Sequence, residues 1–191
     1  MVSEHNDTLV RILRSNVSFM AILRAARAVE LPDWFVGAGV IRNTVWDFLH
    51  GYDEPTPLTD VDVAFFDPQD LTPARDATAA ELLKAQLPVI PWEATNQAAV
   101  HLWYPAVFGF AVEPATSSQD AIGTWPETTT CVGVRLLADD AFVIAAPYGL
   151  DDLMHMVLRR NPRRVSVEMF RQRLLSKRIP EKWPRVRVID G

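Results

Sequence analysis

The sequence predicts an α+β fold in which a small mixed β-sheet is flanked by helices. Apolar residues recur at helical spacing through the first thirty positions. Short β-prone runs then alternate with helical segments, and one of these runs turns straight into a helix through small residues. A chain of 191 residues that is 49% hydrophobic carries enough apolar material for one packed domain. The expected organisation is one unit over 1–191, with helices at 1–30, the sheet and its helices at 31–150, and helices with a tail at 151–191.

Leu9, Ile12 and Leu13 share one helical face, as do Met20, Ile22, Leu23, Ala26 and Val29. Residues 16–18 break the two segments or cap the second. Pro32 ends this helical pair because it cannot continue the hydrogen-bond ladder. A strand is expected at 34–36, followed by a helix at 39–49 that turns Val40, Thr44, Val45 and Phe48 inward. The loop 51–59, with Pro55 and Pro57, delivers the chain to a strand at 60–66. Pro73 then opens an Ala-rich helix to about residue 85, at a first-turn position where proline is tolerated. A short strand is expected at 88–94, its prolines placing it at an edge or in an irregular position. An irregular stretch covers 104–113, and a short capped helix covers 117–124. A hairpin pairs 129–137 with 142–146, helices follow at 149–159 and 166–176, and 180–191 forms a tail.

The net charge of −5 argues against a nucleic-acid partner, since neutralising phosphates needs a surplus of Lys and Arg. The basic residues gather late, from Arg159 onward, where a solvated surface is the expectation and a polyanion-binding patch the alternative. Cys131 is the single cysteine, so no intrachain disulfide and no cysteine-based zinc site can form; a small core residue is expected there. The polar, acidic start is unlike a signal peptide, and no apolar run approaches the roughly 20 residues that span a bilayer. A soluble, cytoplasmic protein is expected.

Two features carry chemistry. Asp60 and Asp62 stand at i and i+2 at the head of a β-prone run, so both project from the same face of a strand, within reach of one metal ion. About twenty residues earlier, Gly37-Ala38-Gly39 opens a helix whose backbone N–H groups and positive end suit an anion. Alone, the first is more often a solvated strand end or a helix cap, and the second is usually just a tight turn. In this order and at this separation they describe a site for a nucleoside triphosphate with Mg²⁺ or Mn²⁺. Arg42, one turn into that helix, can reach a phosphate or form a surface salt bridge, while Asn43 and Asp47 can be structural polar groups. Asn96 and Gln97 are expected to satisfy backbone groups in a turn. His101 is expected to be packed, His50 and His155 to be ordinary residues, and Asp151 and Asp152 to cap a helix.

The wording GAGVIRNTVWDFLHG from Gly37, followed by TDVDVAFFD from Thr59, resembles the nucleotidyltransferase superfamily typified by DNA polymerase beta. It is closer still to a bacterial family of nucleotidyltransferase-like proteins. WEATNQAAVHLWYP from Trp92, SSQDAIGTWPETTTCVGVRL from Ser117 and IAAPYGLDDL from Ile144 fit the same resemblance, which spans roughly residues 10–175. It implies a nucleotidyltransferase-like fold and transfer of a nucleoside monophosphate from an NTP, with release of pyrophosphate. Two divalent cations would be held by Asp60, Asp62 and a third carboxylate on a neighbouring strand. Glu93 is the residue the resemblance puts there, against a solvated strand residue as the plain reading and Asp67 as a rival. Gly37, Ala38, Gly39 and Arg42 would face the triphosphate; the superfamily often has a Ser where this chain has Ala38. Asp120 and Glu127 can border an acceptor pocket. The acceptor is expected to be a small molecule or a protein. The alternative is a regulatory module of the same fold that binds nucleotide without transferring it.

Overall fold

The first two helices form where the apolar spacing puts them. Leu9, Ile12 and Leu13 of α1 (Val2–Ser15) and Phe19, Met20, Ile22, Leu23 and Ala26 of α2 (Val17–Ala28) are all buried. Asn16 caps α2, its side-chain oxygen accepting the Phe19 backbone N–H at 2.9 Å. The computed structural model describes residues 2–189, so Met1 and the last two residues of the expected 180–191 tail lie outside the described residues.

Five short strands form one sheet: β1 (Phe35–Gly37), β2 (Val61–Phe65), β3 (Trp92–Asn96), β4 (Gly133–Leu136) and β5 (Phe142–Ala145). Their order is β3-β2-β1-β4-β5. β2 and β3 run parallel and every other pair is antiparallel, giving the expected mixed sheet flanked by helices. The parallel pair requires a crossover, which α4 (Pro73–Gln86) supplies. Strand alternation divides the faces. Val36, Val61, Val63, Phe65, Val134 and Leu136 join the main core with α1, α2 and α3 (Gly39–His50). Phe35 enters a smaller cluster on the other face with Ile122, Cys131 and Ala145. Asp62 lies on that second face, in register with Gly37 on one side and Glu93 on the other.

Several sequence expectations are corrected. Of the residues expected inward on α3, Val40 and Val45 are buried, Thr44 is half-buried and Phe48 is exposed; Ile41 and Trp46 are the buried residues instead. Trp46 donates its indole N–H to the Leu153 carbonyl at 2.9 Å and meets Trp183 edge-on at 5.5 Å, and Phe48, two residues on, falls on the far side of the helix. The expected 88–94 strand begins at Trp92, on the sheet edge, because residues 88–90 form a turn. Within the expected irregular stretch, residues 104–108 belong to α5 (Val100–Phe108), held by burial of Val100 and Tyr104 one turn apart.

The hairpin forms, but residues 128–130 are a 3₁₀ turn and its first strand starts at Gly133. The capped helix is α6 (Ser118–Ile122), with the Ser117 side chain accepting from Asp120 N–H. The expected 149–159 helix stops after one turn as α7 (Asp151–Met154). The chain then forms β6 (Val157–Arg159), which pairs in parallel with β7 (Arg187–Ile189) from the supposed tail. Between them run α8 (Val167–Lys177) and α9 (Ile179–Lys182), and Trp183 is fully buried in the main core. Among the described residues no helix is long and apolar enough to cross a membrane.

Candidate active site

The loop 51–59 ends at Asp60, and the β-branched run from Val61 starts β2. Because Val61, Val63 and Phe65 turn into the core, Asp62 must turn to the opposite face. Burial, followed by the neighbouring Asp60 and Glu93 carboxylates, pushes the Asp62 carboxyl up to about 7. Lys177 from α8 places its Nζ 3.4 Å from Asp60 Oδ2. Glu93 is exposed on the edge strand directly beside Asp62. These three carboxylates do not each bring an oxygen within 4.8 Å of the others; among the described residues that closeness occurs in His5, Asp151 and His155. The donor set of Asp60, Asp62 and Glu93 nevertheless suits a hard divalent cation, being all carboxylate oxygen on one sheet face with mutual repulsion that positive charge relieves. Asp60 would exchange Lys177 for that cation.

The glycine turn is shaped by close packing at one position and by an unusual backbone at the next. Gly37 has no positive φ. A Cβ there would lie 2.6 Å from the Trp125 ring and 2.8 Å from the Val132 carbonyl oxygen, so the close approach of Trp125 requires glycine. The strained residue is Ala38, at φ 57° and ψ −124°, as the N-cap of α3 with no side-chain cap. Its own N–H donates to the Val132 carbonyl at 3.1 Å. The first-turn amides beyond it have no i−4 partners, as at any helix start, and Ala38 and Gly39 border the cavity beside Asp60. Ala38→Gly is expected to raise stability by about 1 kcal/mol, relief of backbone strain outweighing the added freedom of the unfolded chain. Urea unfolding of the two proteins checks this.

That cavity, about 250 Å³, is lined by Ala38, Gly39, Asp60 and Asp62 on one side and by Arg42, Arg173, Lys177 and Lys182 on the other. Among the described residues Arg42 pairs with no carboxylate at salt-bridge distance. It donates to Asn43 Oδ1 at 2.8 Å and lies over the rings of Trp46 and Trp183; burial lowers its pKa from the ordinary value. Glu127, 2% exposed, accepts from Arg173 Nε at 2.9 Å and from the Thr130 hydroxyl at 3.0 Å, holding the guanidinium at the cavity wall. Arg173 and Lys177 come from the basic stretch expected to be solvated surface. The signal available was their spacing of four on one helical face.

A second cavity of about 260 Å³ lies across Asp62, bordered by Glu93, Thr95, Gln97, Trp103, Tyr104 and Arg164. Asp62, Trp125, Pro126 and Arg173 border both cavities.

Other residues singled out from sequence have structural roles. Asp67 is held by Arg75 at 2.8 Å, which lowers its pKa, and belongs to neither cavity. Asn96, 1% exposed, accepts from Asp67 N–H and donates to the Asp67 and Asp70 carbonyls. Asp47 accepts from Thr56 and from the Trp183 indole. Asp120 pairs with Arg163 at 3.6 Å, away from both cavities. Asp152 does not cap α7; it accepts from Thr128 and Arg159. Burial pushes the Cys131 thiol up to about 12, keeping it a protonated core residue.

A family model described as nucleotidyltransferase matches residues 24–188. The chain belongs to the nucleotidyltransferase family. An NMR structure described as revealing a CCA-adding enzyme head domain is 31% identical, superposes with a TM-score of 0.80, and covers 96% of this chain and 95% of its own. A CCA-adding enzyme in complex with CTP is 14% identical, with a TM-score of 0.54, over 98% of this chain and 43% of that one. An apo tRNA-processing enzyme is 16% identical, with a TM-score of 0.52, over 91% and 44%. These last two share the nucleotidyltransferase fold, and this chain spans less than half of each. No curated protein matches the sequence.

Proposed function

We propose that this nucleotidyltransferase transfers a nucleoside monophosphate from an NTP to a hydroxyl of a small-molecule or protein acceptor, with a divalent cation held by Asp60, Asp62 and Glu93. The observation that supports this most is the position of Asp62 at the junction of two cavities, one rich in cations and one walled by aromatics. The triphosphate would enter the first, against the opening amides of α3 and the side chains of Arg42, Arg173, Lys177 and Lys182. The acceptor would enter the second, bringing its oxygen to the Asp62 end. Attack on the α-phosphorus forms the new O–P bond and breaks the bond to the β-phosphate bridging oxygen, and pyrophosphate leaves. Glu93, on the acceptor side, would orient the hydroxyl and take its proton. When bound, the divalent cation supplies charge neutralisation at the attacking and leaving oxygens. The cationic wall stabilises the departing pyrophosphate and the walls of both cavities restrict approach to one line.

The neighbours described as tRNA-processing or CCA-adding raise RNA as an acceptor. The net charge of −5 favours a small molecule or protein instead. Calorimetric titration with each of the four NTPs, with and without Mg²⁺, tests the site. Metal-dependent binding of one or more NTPs is expected, lost in the Asp60→Ala/Asp62→Ala double variant. A folded protein that binds none of the four would instead be a module that kept the fold without the chemistry.

A further inference from the structure

We propose that His5, Asp151 and His155 form a second cation site, specific for a divalent transition metal of the zinc class and separate from the nucleotide site. His5 lies near the start of α1, Asp151 opens α7 and His155 closes it. Each offers one ligand atom within 4.8 Å of the other two. His5 Nδ1 is 3.0 Å from Asp151 Oδ1, and the two imidazole rings stand edge-on with centroids 5.5 Å apart. Tetrahedral zinc, with bonds of about 2.0–2.2 Å, sets neighbouring donors about 3.3 Å apart. The His5–Asp151 pair is therefore already near the spacing of two ligands, and a side-chain rotation brings in the third.

His155 is oriented for the task. Its Nδ1 lies 3.0 Å from the Asp151 backbone carbonyl. A carbonyl oxygen only accepts, so Nδ1 carries the proton and Nε2 is the bare nitrogen. An outer hydrogen bond of this kind fixes the tautomer of metal-binding imidazoles. Two imidazoles and one carboxylate suit zinc, nickel or copper, whereas Mg²⁺ takes oxygen donors. Asp151 and His155 are exposed, so water can complete the shell. The ion would tie α1 to α7, whose Asp152 accepts from Thr128 at 2.5 Å, next to the Glu127 that orders Arg173.

The test titrates zinc chloride into the chelator-stripped full chain carrying Asp60→Ala/Asp62→Ala, so that the nucleotide site contributes nothing. One equivalent should bind, with a rise in melting temperature on saturation. Adding either His5→Ala or His155→Ala should weaken zinc binding at least about tenfold and remove the melting shift. His155 is exposed and His5 half-buried, and far-UV circular dichroism verifies the fold of both variants. The proposal is overturned if the double variant binds no zinc, or if its affinity is unchanged by both histidine substitutions.

Discussion

Asp62→Asn is expected to lower the nucleotidyl transfer rate by about 10³-fold or more while making the protein more stable at pH 8. Both effects follow from one placement. Strand alternation forces Asp62 onto the second sheet face, where burial and the Asp60 and Glu93 carboxylates raise its pKa from 3.8 to about 7. Between those two values the native state keeps a proton that the unfolded chain has released. Stability therefore falls as pH rises through that window, and the penalty is complete above it. Asn removes the charge and keeps the shape, so its gain should be absent near pH 4 and reach about 1–2 kcal/mol at pH 8. Urea midpoints at the two pH values, together with pyrophosphate release, check both halves. If the proposed site holds a divalent cation, the same linkage predicts tighter binding at pH 8 than at pH 6, since the cation would take the ionised carboxylate. An Asn variant that is active, or that is less stable than wild type at pH 8, would falsify the placement of Asp62 as the charged centre of this site.

The difference between what could be read in the chain and what could not follows the range of the interactions. Asp60 and Asp62 needed only the period of a strand to be placed on one face, and Asn16 needed only three residues to cap α2. Glu93 needed the parallel pairing of β2 with β3, a register that the family resemblance implied and local pattern does not encode. Arg173 was hidden because its partner, Glu127, lies 46 residues away. The β6–β7 pair was missed for the same reason: Val157–Arg159 continues a helix start, and only a distant strand makes it extended. The small-residue turn shows the limit from the other side. Glycine at position 37 reads from sequence as a tight turn or a backbone approach to phosphate; the structure adds that it admits Trp125, while the unusual backbone belongs to Ala38.

Gly37→Ala is accordingly expected to cost about 2–3 kcal/mol, a fall in melting temperature of roughly 5–10 °C, and to impair nucleotide binding as well. A single methyl placed there meets two ring carbons of Trp125 at 2.6 and 2.7 Å and the Val132 carbonyl oxygen at 2.8 Å. The indole can swing outward, but the carbonyl is backbone. It also accepts the Ala38 N–H at 3.1 Å, so moving it loosens the bond that sets the turn into α3. Trp125 borders both cavities, and its displacement reaches the two together. The double variant Gly37→Ala/Trp125→Ala separates the two sources of strain. If the ring carries most of the clash, the pair should be coupled, with Trp125→Ala costing less in the Gly37→Ala background than alone. Binding of NTP should not return with stability, because the wall that Trp125 provides is then absent. Additive stability losses would mean instead that the Val132 carbonyl carries the strain, and that glycine is required here by the β1–β4 backbone rather than by the indole.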